Sequence, residues 1–180
     1  MTCEEMDAIA MLKADHRKVE DLFEQFEKAR SDDRKQSLAE QICLELKVHT
    51  VIEEEIFYPA CEGKVEEDLL KEAYVEHDGA KTLINEIEAA SPADDFYDAK
   101  VKVLSEMIEH HVKEEEQRVE GMFSQARDAG LDMDALADAM RARKATAMEE
   151  FQAGKPAETT TFQGDEGPMP GDEASGATYR

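Results

Sequence analysis

The stretch Ile42-Cys43-Leu44-Glu45-Leu46-Lys47-Val48-His49-Thr50-Val51-Ile52-Glu53-Glu54-Glu55-Ile56-Phe57-Tyr58-Pro59 decides how the chain is read. Ile42, Leu46, His49, Glu53 and Ile56 advance by four, three, four and three, which is the spacing of one buried helix face. That face is apolar except at His49 and Glu53. Leu104, Ile108, His111, Glu115 and Met122 make a second stripe of the same kind. Leu12, His16, Val19, Phe23 and Phe26 make a third, and His77, Ala80, Ile84 and Ile87 a fourth. Each stripe carries one histidine among apolar residues, and two of them carry a glutamate as well.

Outward from these stripes the chain reads as helix. Residues 1–153 hold only four of the nine Gly and two of the five Pro, and they are rich in the helix formers Ala, Glu, Leu, Lys and Met. A first helix is expected to end near Arg30, before Ser31-Asp32-Asp33, and a second to run over about residues 34–60 with Gly63 as its stop. A third spans about 65–90. Ser91-Pro92-Ala93-Asp94 has the look of a helix start, with Ser as N-cap, Pro at the first position and an acid in the first turn. The fourth helix then runs to about 128, closed by Gly130, and a weaker amphipathic segment covers about 132–152. Four long helices with short connections predict an all-α, up-down-up-down four-helix bundle, with an additional C-terminal helix packed outside it. Residues 154–180, with five Gly and three Pro, predict a flexible tail. The expected organisation is a bundle over 1–130, an accessory helix over 131–153 and an acidic, disordered tail over 154–180.

Composition sets limits on function. There are 44 Asp and Glu against 21 Lys and Arg, a net charge of −23. Nucleic-acid binding needs a basic footprint to displace counterions from phosphates, and anionic membranes attract polybasic segments, so both classes are excluded as expectations. No apolar run approaches the roughly 18 residues of a membrane span. Met1 to Met6 has no basic stretch leading into an apolar one, so no export signal is read there. Cys3, Cys43 and Cys61 are odd in number and lack Cys-x2-Cys spacing, which reads as reduced thiols in a cytoplasmic protein.

The stripes form an internal repeat. Asp15-His16 returns as Glu76-His77 at an offset of 61, and His49-x3-Glu53 returns as His111-x3-Glu115 at an offset of 62. Residues i and i+4 share a helix face, so each His-x3-Glu pair offers a nitrogen and an oxygen to one interior. Two such hairpins folded together bring four imidazoles and two carboxylates into one layer. Buried carboxylates cost several kcal/mol unless paired or metal-bound, and this set suits two metal ions. Mixed imidazole and carboxylate ligation points to iron, zinc or manganese, and the absence of thiolate disfavours a closed structural zinc site. The candidate ligands are His16, His49, Glu53, His77, His111 and Glu115. Glu54, Glu55, Glu114 and Glu116 read as solvated helix faces, and His110, one residue off its stripe, as a surface residue. No His has Glu three positions before it, so the ferritin-type Glu-x2-His pattern is absent.

With these residues in place, the chain resembles the hemerythrin-like HHE cation-binding family. The matching stretches are Asp15-His16-Arg17 with Phe23 and Phe26, the run His49 to Pro59, Glu76-His77, and His110 to Glu116. They lie within about residues 7–128. The resemblance implies a four-helix bundle holding two non-haem iron ions, bridged by two carboxylates and an oxo or hydroxo group, with the six candidates at its ligand positions. Oxygen-carrying members have His-x3-His on the third helix, and here Lys81 stands in the second place. The motif is therefore closer to the branch with four His and two Glu, which includes iron-centre repair proteins. Those usually carry an N-terminal cysteine-bearing domain, which is not read in this chain. The resemblance thus implies a protein that binds or senses a small ligand, O2, NO or peroxide, at an iron pair. Its alternatives are a di-iron peroxidase or catalase-like scavenger, an iron donor for damaged iron centres, and a metal-stabilised interaction module that recruits a protein partner through its tail.

Overall fold

A computed structural model of the chain describes residues 6–160; Cys3 and most of the expected tail lie outside the described residues. Helix α1 (Ala8–Lys28) begins where the Asp7 carboxylate accepts the Ala10 N–H at 2.8 Å, satisfying a donor the first turn leaves unpaired. Helix α2 (Asp32–Ile52) starts earlier than expected. Ser31 caps it by accepting the Arg34 N–H, and Asp32 and Asp33 fall in its first turn, where the helix dipole favours acids.

The second helix is not uniform. After Ile52 the chain widens into a π segment (Glu53–Phe57) and then resumes as the short α3 (Tyr58–Cys61). Pro59 has no N–H to give to the turn before it, which is where the ladder changes register. In the wide turn the Tyr58 N–H reaches Glu53 O, so residues five apart share a face. Glu53, Phe57 and Tyr58 are all fully buried as a result.

Helix α4 (Glu67–Glu88) follows, and α5 (Tyr97–Glu116) begins six residues after the expected cap. Ser91 and Asp94 close a local turn instead. The Asp94 carboxylate accepts the Ser91 N–H at 2.8 Å while the Asp94 N–H bonds Ser91 O at 2.9 Å, using up groups a helix start needs. The fourth helix also breaks before its expected end. Gln117, at φ −53° and ψ 132°, leaves the helical conformation, and a separate α6 (Met122–Asp128) starts after Gly121. A Cβ on Gly121 would lie 2.4 Å from Gln117 O and 2.7 Å from Glu115 O, so the break depends on glycine there. Gly130, at φ +73°, turns the chain into α7 (Met133–Gln152), which Asp132 caps by accepting the Ala135 N–H.

Helices α1 and α2 pair, α4 and α5 pair, and the two hairpins meet through α2 with α4 and α1 with α5. The fold is therefore an all-helical bundle, and α7 packs outside it against α1 and α2. Two apolar clusters fill it, one around Val19, Leu46, Ala80 and Ile108, the other around Leu12, Ile52, Ala73 and Phe123. Each buried aliphatic or aromatic side chain contributes about 1.5–3 kcal/mol. On three of the bundle helices a histidine falls where the chain passes from one cluster to the other. His16 lies between Leu12 and Val19, His49 between Leu46 and Ile52, and His77 between Ala73 and Ala80. The polar layer is thus sealed above and below. Beyond α7 the chain stays attached: Ala157 N–H and C=O both bond the Asn85 side chain, at 3.2 and 3.0 Å. No helix among the described residues is long and apolar enough to cross a membrane.

Candidate metal centre

All six candidate residues lie together in that layer, and all are buried. His16 Nε2 stands 3.1 Å from His49 Nε2, and His77 Nε2 stands 3.1 Å from His111 Nε2. The carboxylates join the two imidazole pairs. Glu53 Oε2 is 3.1 Å from His49 Nε2 and 3.3 Å from His77 Nε2. Glu115 Oε2 is 3.4 Å from His16 Nε2, and its Oε1 is 3.6 Å from His111 Nε2. Each acid therefore touches one histidine from each half of the repeat. His16, His49, Glu53 and Glu115 form one group able to hold an ion, and Glu53, His77 and His111 a second that shares Glu53.

An outer ring of carboxylates fixes the imidazoles. Glu116 meets His16 Nδ1 at 2.8 Å, Glu54 meets His77 Nδ1 at 3.0 Å, and Glu76 meets His111 Nδ1 at 2.8 Å. Asp15 faces His49 Nδ1 at 3.6 Å. A ring that donates its Nδ1 proton outward presents a lone pair at Nε2. Two such lone pairs 3.1 Å apart repel unless a cation or a proton lies between them. In addition Glu53 Oε1 and Glu115 Oε2 are buried with no hydrogen-bond partner. Orphaned carboxylate oxygens beside convergent imidazole nitrogens fit a metal-binding interior.

The electrostatics agree. Burial opposes a charge on His49, but Glu53 and Asp15 more than offset it and raise its pKa to about 10. For His77 the same contest, with Glu53 and Glu54 against burial, gives about 8. Glu53 is held well below the usual carboxylate range, its burial outweighed by His49 and His77. The site is built to hold positive charge among its acids.

Several residues here were not anticipated from the sequence. Glu54 and Glu116, expected on solvated faces, turn to the histidines, and Asp15 and Glu76 do likewise from the other two helices. A signal for them existed: Asp15 to Glu76 is 61 residues and Glu54 to Glu116 is 62, the offsets of the histidines and glutamates they serve. Tyr58 had no such signal, because residue 120, its counterpart, is Glu. Its hydroxyl donates to Glu115 Oε1 at 2.9 Å and lies 3.2 Å from His77 Nε2 and 3.4 Å from His111 Nε2. Burial, with Glu115 and Glu53 nearby, raises its pKa well above 10, so it keeps its proton. Lys81 is buried but points away from the imidazoles, pairing with Glu54 at 2.7 Å. His110 is 60% exposed in its side chain, as expected, near Glu76 and Glu114. Cys43 and Cys61 are free and buried, and burial pushes both thiols up to about 12.

The sequence profile of the hemerythrin HHE cation-binding domain matches residues 7–123, and the chain belongs to that family. It is 29% identical over 113 residues to a protein of Nostoc sp. (strain PCC 7120) described as a DNA nickase. That match takes in 63% of this chain and 32% of the relative, so the chain spans about a third of the relative's length. Among solved structures it is similar to a hemerythrin HHE cation-binding domain-containing protein of Mycobacterium kansasii. The TM-score is 0.69 at 19% identity, covering 82% of this chain and 91% of the other, a likeness of fold.

Proposed function

We propose that this chain is a non-haem di-iron protein that binds or senses a small ligand, O2, NO or peroxide, within the bundle. One observation carries the reading: four imidazole Nε2 atoms and two buried carboxylates converge while the outer faces of the rings are held by further acids. His16 and His49 would hold one ion, His77 and His111 the other, with Glu53 and Glu115 shared between them. Bound iron would supply redox chemistry and an attachment point for a diatomic or peroxide ligand. The chain's own groups do the rest. The outer carboxylates keep the rings oriented, and the apolar clusters on both sides exclude bulk water. Phe123 lies parallel to His16 with centroids 5.9 Å apart and limits that ring's rotation.

An enzymatic reading, a peroxidase or catalase-like scavenger, is favoured by Tyr58. Its phenol hydroxyl reaches in among the six candidates, and it can give a hydrogen bond to whatever occupies the space beside Glu115. Iron donation to damaged centres has no comparable residue in its favour. Nicking of DNA belongs to the Nostoc relative's name, and a net charge of −23 opposes phosphate binding, so it is not carried over. We further place the protein in the cytoplasm and assign residues 1–130 to the metal-holding bundle, 131–153 to the accessory helix and 154–180 to an acidic tail.

Anaerobic reconstitution with ferrous iron, followed by NO, O2 or peroxide in separate samples, tests the reading. At least one ligand should produce new visible or near-ultraviolet absorption, and the change should vanish in His49→Ala. No response to any of the three would contradict it.

A further inference from the structure

Resting on that metal-centre reading, we propose that Lys144 positions Asp15 against His49, which makes α7, a helix beyond the family match, part of the metal centre. Each outer carboxylate has its own partner further out. Lys81 holds Glu54, Arg17 holds Glu116 at 2.7 Å, and His110 lies 3.6 Å from Glu76. All of these come from within residues 7–123, the span of the match. Asp15 is different. Both of its oxygens are taken by Lys144 Nζ, from α7 (Met133–Gln152).

The repeat explains why this position needs outside help. Its counterpart Glu76 has one more methylene and reaches His111 Nδ1 at 2.8 Å, whereas Asp15 stops 3.6 Å short of His49 Nδ1. His49 Nδ1 has no hydrogen bond, and among the described residues Asp15 is the acid that faces that nitrogen. Asp15 is itself 7% exposed, and a buried carboxylate without a cation is costly. Lys144 supplies the cation and fixes both oxygens in place. Without it, Asp15 gains by turning toward solvent, and the His49 ring loses its outer neighbour. The effect should fall on the ion held by His16, His49, Glu53 and Glu115, and spare the one near His77 and His111.

Helix α7 has other anchors, so this role can be separated from docking. Arg143 clasps Glu55 through Nε at 2.6 Å and Nη2 at 3.1 Å, and Met140 and Ala147 are fully buried. Glu55 touches none of the candidate ligands among the described contacts, so Arg143→Met loosens α7 without reaching the centre.

The test is stepwise cobalt titration of the chelator-stripped full chain, read by visible absorption, with thermal melts alongside. Lys144→Met should weaken one of the two binding steps about tenfold and leave the other within about twofold, the range expected when an outer partner is lost. Lys144→Arg should restore the affected step. Arg143→Met should lower the melting temperature and leave both steps alone. Two unchanged steps in Lys144→Met overturn the proposal. So does equal weakening of both, which would make Lys144 only a docking contact. Should Lys144→Met fail to fold, Lys144→Gln, which keeps a donor and drops the charge, is held to the same outcomes. Absence of cobalt binding in the parent protein would instead bring down the metal-centre reading itself.

Discussion

At the scale of single residues, the centre depends on which way each imidazole is turned. Glu54 serves His77 Nδ1 and is in turn held by Lys81. Glu54→Gln would exchange a charged acceptor for a neutral amide and should lower metal affinity about 10- to 100-fold with little change in fold. Isothermal titration with zinc measures this, and equal affinities would contradict it. Tyr58→Phe removes one oxygen from the middle of the site. It should leave metal content unchanged, destabilise the protein by about 1 kcal/mol through the lost bond to Glu115, and slow reaction with peroxide about tenfold or more. Stopped-flow absorption decides the kinetic part. The six candidate residues were legible because scarcity and spacing coincide: one histidine interrupts each apolar stripe, and the offsets of 61 and 62 repeat. Their outer acids repeat at the same offsets but are lost among 44 acidic residues, where any single glutamate reads as solvated.

At the scale of elements, periodicity located the helices and missed their interruptions. The run Glu53–Phe57 has an ordinary helical composition, and only Pro59 hints at the wide turn that sets Tyr58 beside Glu53. Ser91-Pro92 has every mark of a cap, yet Asp94 closes a turn there because its carboxylate is near enough to take the Ser91 N–H. The fourth helix was expected to run through position 121, and the reason it breaks at Gly121 is steric. Gly121→Ala would press a Cβ onto backbone atoms of Glu115 and Gln117, costing about 1–3 kcal/mol and displacing α6 with Phe123. A thermal melt checks the first, and the His16 ring resonances check the second. At the other end of α1, Asp7 caps the helix and pairs with Arg127 of α6 at 2.7 Å. Burial works against its charge, but the Ala10 N–H and Arg127 hold its carboxyl below the usual 3.8. A depressed folded-state pKa gives stability above 3.8 that is lost as the pH falls through the folded value. Asp7→Ala should therefore cost about 1 kcal/mol near neutrality and progressively less in acid. A cost that does not shrink would contradict the assignment.

At the scale of the whole molecule, two apolar clusters enclose a layer of four imidazoles and two carboxylates, and a helix outside the bundle reaches the outer acid Asp15 through Lys144. The large negative charge, the most prominent feature of the composition, belongs mostly to outer faces, while the layer itself concentrates the scarce histidines. The tail that composition predicts begins with residues held to α4 by Asn85, a tertiary contact that local composition does not encode. These scales meet at the centre, where the layer is proposed to hold a pair of iron ions. Elemental analysis by mass spectrometry of protein purified from its native source, set against protein concentration, tests this most directly. About two iron atoms per chain are expected, lost together with most bound metal in His49→Ala. Fewer than about one metal atom per chain, with the same content in His49→Ala, would contradict it.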